Sequence, residues 1–331
     1  MKAVRLHEIG GPQNLRIDEI GVPIPQPGEV LVKIRCAALN RRDVYITQGL
    51  YRRIELPATL GSDGSGVVAA LGERVDGPAV GTPVVIDPML DWGDDPRTWG
   101  HNASILGMPR PGTFAEYLSV PVQNVFAKPA ALSEDDAAAI PLAGLTAYRA
   151  TYTRAKLLPG ETVLITGVGG GVQTFVLQFA KQIGARAVVT SSSDEKLARA
   201  KALGADEALN YRSDSQWYRT ARALGIDVAI DSAGGETFAR ALEAVKPGGR
   251  VVTYGGTSGD ATIRPFSIFW NHLDVLGTSM GSPHDFRAML QLFETGLRPA
   301  VDRTFELQDV VAAAQRLEGA NQFGKILLHV S

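Results

Sequence analysis

The chain has 331 residues, enough for two domain cores, and 45 % of them are hydrophobic. With 33 Lys and Arg against 35 Asp and Glu the formal charge is −2, and no basic stripe or charge run marks a nucleic-acid or membrane surface. One cysteine, Cys36, excludes an intrachain disulfide and any multi-cysteine zinc site. The opening MKAVRLHEIGG holds no apolar signal core, and no apolar run is long enough to span a bilayer, so a cytoplasmic protein is expected.

Residues 1–125 read as β-rich. Short alternating runs at Lys2–Leu6, Leu15–Glu19, Glu29–Ala38, 66–71, 84–86 and 114–119 are broken by Gly and Pro. PIPQPGE at 23–29 is a turn-rich connector, and residues 40–50 have the makings of a short helix. Cys36 falls in an alternating run with no His close in sequence, which suits a packed strand residue better than a nucleophile. Residues 133–155 change to Ala-rich helical sequence, with Ser133 three positions before Asp136 as a cap signal. From there to about residue 280 strands alternate with helices: strands near 163, 187, 208, 227 and 250. That pattern predicts a doubly wound parallel sheet. The tail predicts helices over 285–294 and 307–317 and a last strand over 325–330, which would return to the first domain.

Residues 163–212 carry the clearest chemistry. A short apolar strand runs into Gly167, Gly169, Gly170 and Gly171. A helix follows with Val172, Phe175, Val176, Phe179, Ala180 and Ile183 on one face, and Gly184 stops it. Residues without a Cβ let backbone amides reach a pyrophosphate, and the helix N-terminus behind them adds unpaired N–H groups and partial positive charge. The third glycine position holds Val172 in one reading frame and Gln173 in the next, so closer helix–strand packing is lost there. The second strand ends at Ser191, Ser192 and Ser193, where an acid would bind the ribose hydroxyls of NAD. Serines accept a 2′-phosphate without repulsion, and Lys196 and the Tyr211-Arg212 pair stand nearby, so NADPH is the expected cofactor. The alternative is that Ser193 or Asp194 merely caps the next helix and Lys196 is solvated.

GLTAY at 144–148, PGETVLITGVGGGV at 159–172 and VKPGGRVVTYGG at 245–256 resemble the medium-chain dehydrogenase/reductase superfamily, and LPATLGSDGSGVV at 56–68 and FGKILL at 323–328 agree. The resemblance implies an α/β protein with a GroES-like domain (1–127 and 283–331), a Rossmann domain (128–282) and an active site in the cleft between them. Zinc members ligate a catalytic ion with a Cys, a His and a later Cys; here the matching segments read Asn40-Arg41-Arg42-Asp43, Gly61-Ser62-Asp63 and a stretch offering Leu142. Asn and Ser are poor zinc ligands and Leu is none, so no catalytic metal is expected. Residues 86–117 resemble the lobe that holds four structural cysteines in zinc members, with none left here; Trp92, Pro96 and Trp99 are expected to hold it by packing, and His101 to lie on the surface.

NRRDVYITQGLY at 40–51 resembles the zinc-independent quinone oxidoreductases. That resemblance carries substrate- and nicotinamide-facing roles onto Asn40, Tyr45 and Tyr51, with core packing as the alternative for Tyr45. It places Arg41 at a cofactor phosphate, Arg42 at the cleft mouth, Thr146 against the nicotinamide, and Gly255, Gly256 and Thr257 in backbone contact with the nicotinamide half. The segment 277–281, with Thr278 and Met280, would approach the carboxamide. Lys325 would reach the cofactor from the tail, against the stronger reading of a solvated strand-end lysine. Without zinc nothing stabilises an alkoxide at neutral pH, so the expected reaction is hydride transfer from NADPH to a small-molecule electrophile, a quinone or an α,β-unsaturated carbonyl. The alternatives are an enoyl-thioester reductase using Arg42, Arg52 and Arg53, a zinc-free alcohol or aldehyde reductase, and an NADPH-binding structural or sensor protein. The resemblance also implies a homodimer through an edge strand at 272–280.

Overall fold

The structure, a computed structural model, describes residues 1–330. It divides into two compact units, Met1–Ala143 with Ser282–Ser331, and Gly144–Gly281.

The first unit is built on the ten-residue strand Glu29–Ala38. It pairs antiparallel with Asp63–Leu71 on one side and with both Tyr117–Pro121 and Lys325–His329 on the other. Val301–Glu306, Pro83–Ile86 and Val125–Ala127 complete that sheet, and Lys2–Leu6, Leu15–Glu19 and Ala58–Thr59 form a smaller one. The tail strand therefore does return to the N-terminal sheet. Gly66 shows how tight the central pairing is: a Cβ there would lie 2.0 Å from the Lys33 carbonyl oxygen. The alternating runs bury one apolar face, with Val32, Ile34, Leu60, Ile86 and Phe114 in a single core that also takes Val310 and Ala314 from the tail. Ser133 caps the Glu134–Ala139 helix by accepting from the Asp136 N–H at 3.0 Å. The strand expected at 114–119 forms later, at Tyr117–Pro121. Phe114 instead turns its N–H to Leu60 O and its carbonyl to Val4 N. The tail helix starts as a 3-10 turn, Leu307–Asp309, and becomes α-helical over Val310–Glu318.

The stretch 87–112 holds a two-stranded ribbon of Met89–Leu90 and Ser104–Ile105. Trp92 is buried and its indole N–H donates to Asp95 O at 2.9 Å, whereas Trp99 is 43 % exposed and does not pack as expected. His101 is exposed.

The second unit is a six-stranded, wholly parallel sheet. Its strand order is Glu207–Asn210, Arg186–Ser191, Thr162–Ile165, Ile226–Asp231, Val245–Thr253, Asp274–Gly277. The chain winds outward from Thr162–Ile165 one way and then restarts beside it the other way, which is the doubly wound arrangement. The Ala-rich stretch before it is split into Glu134–Ala139 and Pro141–Tyr148 at Pro141, which supplies no N–H, and the second helix runs on into a π-helical turn, Arg149–Arg154. Asp274–Gly277 is the sheet edge, and Val275 on it is 40 % exposed.

Asp87 yields a test of the first unit. Its Oδ1 accepts the Met89 N–H at 2.9 Å, while Oδ2 is buried without a partner. Burial pushes the carboxyl up to about 8, against the pull of that N–H and of Arg287. The folded chain thus holds a proton that an unfolded aspartate releases near pH 4, so this group's contribution to stability falls as pH rises from about 4 through about 8. Asp87→Asn removes that loss. Denaturant titrations across the window should show the Asn variant gaining on the parent as pH rises, and a pH-independent difference would refute the assignment.

Candidate active site

In the second unit the glycine turn follows Thr162–Ile165 and opens the Gly171–Ile183 helix. Gly169 has φ 129° and Gly170 is the N-cap. A Cβ on Gly169 would lie 2.8 Å from Lys196 Cδ, and one on Gly170 would lie 2.3 Å from Gln173 Oε1. The positive φ at Gly169 is the position where glycine is required; at Gly170 a side chain would have to displace only the end of Gln173. The helix is held by buried Phe175, Val176, Phe179 and Ala180 and ends at Gly184, φ 88°. Below the turn, Thr166 Oγ1 donates to Asp231 Oδ1 at 2.6 Å, and Gly234 N–H donates to Asp231 Oδ2 at 2.8 Å. Burial raises the Asp231 pKa and those two donors oppose it. Gln173, at the irregular third position, donates from Nε2 to Ser232 Oγ. A Gly-lined helix N-terminus at the sheet's switch point fits a dinucleotide pyrophosphate.

The expected adenosine end is assembled from neighbouring elements. Ser191 closes its strand, buried, with Oγ accepting the Ser193 N–H at 3.3 Å, and Ser192 is half-buried beside it. Ser193 caps the Asp194–Ala202 helix through the Lys196 N–H, so the cap reading holds for Ser193. The Lys196 side chain is half-buried against Gly169 rather than extended into solvent. Tyr211 is 41 % exposed, and its N–H donates to Ser191 O.

Of the residues expected to face the nicotinamide, Thr146 is buried on the Pro141–Tyr148 helix, while Gly255, Gly256 and Thr257 are exposed just beyond Val245–Thr253. Thr278 N–H donates to Thr253 O at 2.9 Å, and its hydroxyl is buried without a hydrogen-bond partner. Met280 is buried with φ 51°, a conformation unusual for a side chain of that size. A glycine turn, a switch point and polar groups at strand ends make this unit a dinucleotide-binding module.

In the first unit a buried charge network includes Asn40 and Asp63, from the segments that match the zinc members' ligand positions. Lys325 is 3 % exposed, so the solvated-lysine reading is overturned. Its Nζ donates to Leu39 O (2.8 Å), Asn40 Oδ1 (2.6 Å) and Asp63 Oδ2 (2.8 Å). Asn40 Nδ2 donates to the same Asp63 oxygen at 2.9 Å, and Leu142 N–H donates to Asp63 Oδ1 at 2.7 Å. The strand order explains the meeting: Leu327 lies opposite Ala38, which seats Lys325 beside the end of the Glu29–Ala38 strand, and Asp63 pairs with Ala38 across it. Asp43 holds Asn40 in place by accepting its backbone N–H at 2.7 Å. Burial pushes the Asp43 carboxyl up to about 6, opposed chiefly by Arg42.

Arg42 is buried and does not line an open edge. Its Nη1 donates to Ser62 Oγ and Leu106 O, both at 2.6 Å, and its guanidinium stands 5.0 Å from the Tyr51 ring centroid. Tyr51 is partly packed on the core and Tyr45 is half-buried. Arg41 Nη1 donates to Glu318 O at 3.3 Å. Asn40 and Lys325 are thus brought together. Asp63 was missed as their shared partner; the available signal was a lysine heading the apolar run KILL in the strand nearest Asn40.

Residues 26–130 match the family described as "Alcohol dehydrogenase GroES-like domain", and residues 171–295 match "Zinc-binding dehydrogenase". The chain is 35% identical to the "Zinc-type alcohol dehydrogenase-like protein YogA" of Leptosphaeria maculans, covering 96% of this chain and 94% of that one. It is 30% identical to the quinone oxidoreductase of Lama guanicoe, covering 99% and 97%. A solved structure titled "NAD-dependent alcohol dehydrogenase" superposes with TM-score 0.94 at 38% identity over 100% of both chains. The chain belongs to the medium-chain dehydrogenase/reductase superfamily. It is therefore an oxidoreductase of a family that depends on nicotinamide dinucleotides. No helix among the described residues is long and apolar enough to cross a membrane.

The buried pair has a measurable weight. Lys325→Met leaves Asp63 charged and uncompensated, which should destabilise the chain by about 3–5 kcal/mol in denaturant unfolding. Adding Asp63→Asn should recover part of that loss; strictly additive losses would show that the two side chains do not act as a unit.

Proposed function

We propose that the chain is a metal-free, NADPH-dependent reductase of quinones or α,β-unsaturated carbonyls. The observation that carries this reading is the Lys325–Asp63–Asn40 network at the positions where zinc members hold their ion. The donor set does not fit zinc: an amide, a hydroxyl already bonded to Arg42, a leucine, and a carboxylate already paired with an ammonium. A divalent ion about 4 Å from such an ammonium would meet roughly 8 kcal/mol of repulsion at an effective dielectric of 20.

A bound nicotinamide supplies the hydride in such a reaction. The chain's part is to hold the acceptor and to steady charge on its oxygen. Asn40 Nδ2 has one N–H committed to Asp63, and its second is the donor this reading assigns to the acceptor's carbonyl. The ammonium 2.6 Å from Asn40 Oδ1 draws charge off the amide and strengthens that donor. Lys325 is thus a positioning residue. Tyr45 and Tyr51 remain candidates for the acceptor side. The added proton comes from water. On the cofactor side, Arg41, Thr146, the Gly169–Gly170–Gly171 turn with Val172, the 255–257 segment, Thr278 and Met280 keep the roles that the resemblance implies. The same reading carries a homodimer through the Asp274–Gly277 edge.

Asn40→Ala should lower kcat/KM with quinone and enone acceptors by about 10²–10³, the effect of losing one oxyanion donor. Unchanged turnover would remove Asn40 from the mechanism, and activity lost to a chelator and restored by zinc would overturn the metal-free reading. Phosphate selection has its own test in Ser191, Ser192 and Lys196. Lys196→Ala should cut kcat/KM for NADPH about tenfold or more while leaving NADH unaffected, because a charged hydrogen bond is worth about 1.5–3 kcal/mol. Equal losses with both cofactors, or a parent that prefers NADH, would sink the NADPH assignment.

A further inference from the structure

Away from the Asn40 network, the first unit gathers a second set of reactive side chains. Cys36 and His329 are opposite residues of neighbouring antiparallel strands, so their side chains share one face of the sheet. Asp135, on the Glu134–Ala139 helix packed over that face, meets both. One ligand atom from each of the three lies within 4.8 Å of the other two. His329 Nε2 is 3.0 and 3.2 Å from the two Asp135 oxygens. We propose that Cys36, Asp135 and His329 form a site for one divalent transition-metal ion of zinc-like preference, separate from the catalytic region.

The donor chemistry supports that class. One thiolate, one imidazole and one carboxylate suit a borderline ion such as zinc or cobalt and not magnesium or calcium, which prefer oxygen alone. With metal–ligand bonds of about 2.0–2.3 Å, tetrahedral ligands stand about 3.3–3.6 Å apart. The His–Asp pair therefore needs movements of well under about 1 Å to close on an ion, and the remaining approach to the thiol, from at most 4.8 Å, is on the order of 1 Å. Cys36 sits on a rigid central strand, and the other two side chains are 42–45 % exposed, which leaves a way in from solvent and room for water as the fourth ligand. Glu306 Oε1 lies 3.8 Å from His329 Nδ1, on the side of the ring away from Asp135, beyond hydrogen-bonding distance but adding a carboxylate behind the imidazole. Negative charge is concentrated here: Asp135 and Glu134 both act on the thiol, and one Glu134 oxygen is buried without a partner. Burial first, and those carboxylates next, push the thiol pKa up. A dication neutralises that negative charge and releases the thiol proton to solvent.

The site owes nothing to the reading of the catalytic network, and its test is a binding measurement. Untagged full-length protein, stripped with chelator, is titrated with Co²⁺ and followed by absorption. The expected result is one equivalent bound with a near-ultraviolet thiolate-to-cobalt band and visible bands of tetrahedral strength. Cys36→Ser should abolish the thiolate band, and His329→Gln, at an exposed position where folding is not at stake, should weaken binding at least tenfold. A stoichiometric thiolate band that His329→Gln leaves untouched would overturn the site, as would no saturable binding by the parent protein. Binding of equal affinity by Cys36→Ser would overturn it too.

Discussion

The ion pair between Lys325 and Asp63 is the constraint on which the first unit turns. Moving either charge out of water is unfavourable by several kcal/mol, and the pair persists because the ammonium and the carboxylate are each fully hydrogen-bonded. The three ammonium protons go to Leu39 O, Asn40 Oδ1 and Asp63 Oδ2. The carboxylate accepts from Lys325, Asn40 and Leu142 N. Because the lysine comes from the last strand and the aspartate from residue 63, the network also decides where the tail must dock. The sheet register agrees with it, since Lys325–His329 pairs with Glu29–Ala38 and brings the lysine to the strand's end. Asn40 is fixed from both sides, by Asp43 on its backbone and by the ion pair on its amide.

The second unit is organised instead around its parallel sheet and the glycine turn. Its sheet is parallel, its strands are largely buried, and the turn through Gly169 and Gly170 leads from a strand end into a helix whose first N–H groups have no partner within the helix. Asp231 braces that turn from below through Thr166 and Gly234. The irregular third position is filled by Gln173, whose amide bonds Ser232 on the neighbouring strand-end. A polar link thus replaces the close apolar approach that a third glycine would have permitted.

Much of this was legible in residue order because local signals were strong. Strand Glu29–Ala38, the Ser133 cap, the Gly184 stop and the parallel alternation each follow from patterns within a dozen residues. What failed depended on partners far away in sequence. Lys325 reads as solvated until the strand pairing brings it within 2.8 Å of a counter-ion 262 residues away in sequence. Arg42 reads as a residue of the cleft mouth until Ser62 Oγ and Leu106 O close around it. Trp99 reads as packed, but only Trp92 finds a core face. Phe114 looked like the start of a strand; its hydrogen bonds go instead to Leu60 and Val4, which delays regular pairing to Tyr117. Charge pairing and the exact start of a strand are tertiary choices, whereas caps and periodicity are local ones.

On the metal-free reading, the replacement of a Lewis acid by a hydrogen-bonded amide has a consequence for substrate range. A metal ion stabilises developing negative charge by several kcal/mol and also lowers the pKa of a bound hydroxyl, so it serves oxidation of alcohols as readily as reduction. A single preorganised N–H donor supplies roughly 2.7–4 kcal/mol and only toward an oxygen that is gaining charge. Asn40 can help when electrons arrive on the acceptor; it has no means of taking a proton from an alcohol. Lys325 reinforces that bias, because an ammonium at Oδ1 makes the amide a better donor and a poorer base. The acceptor must then bring its own electron deficiency, as a quinone or an enone does.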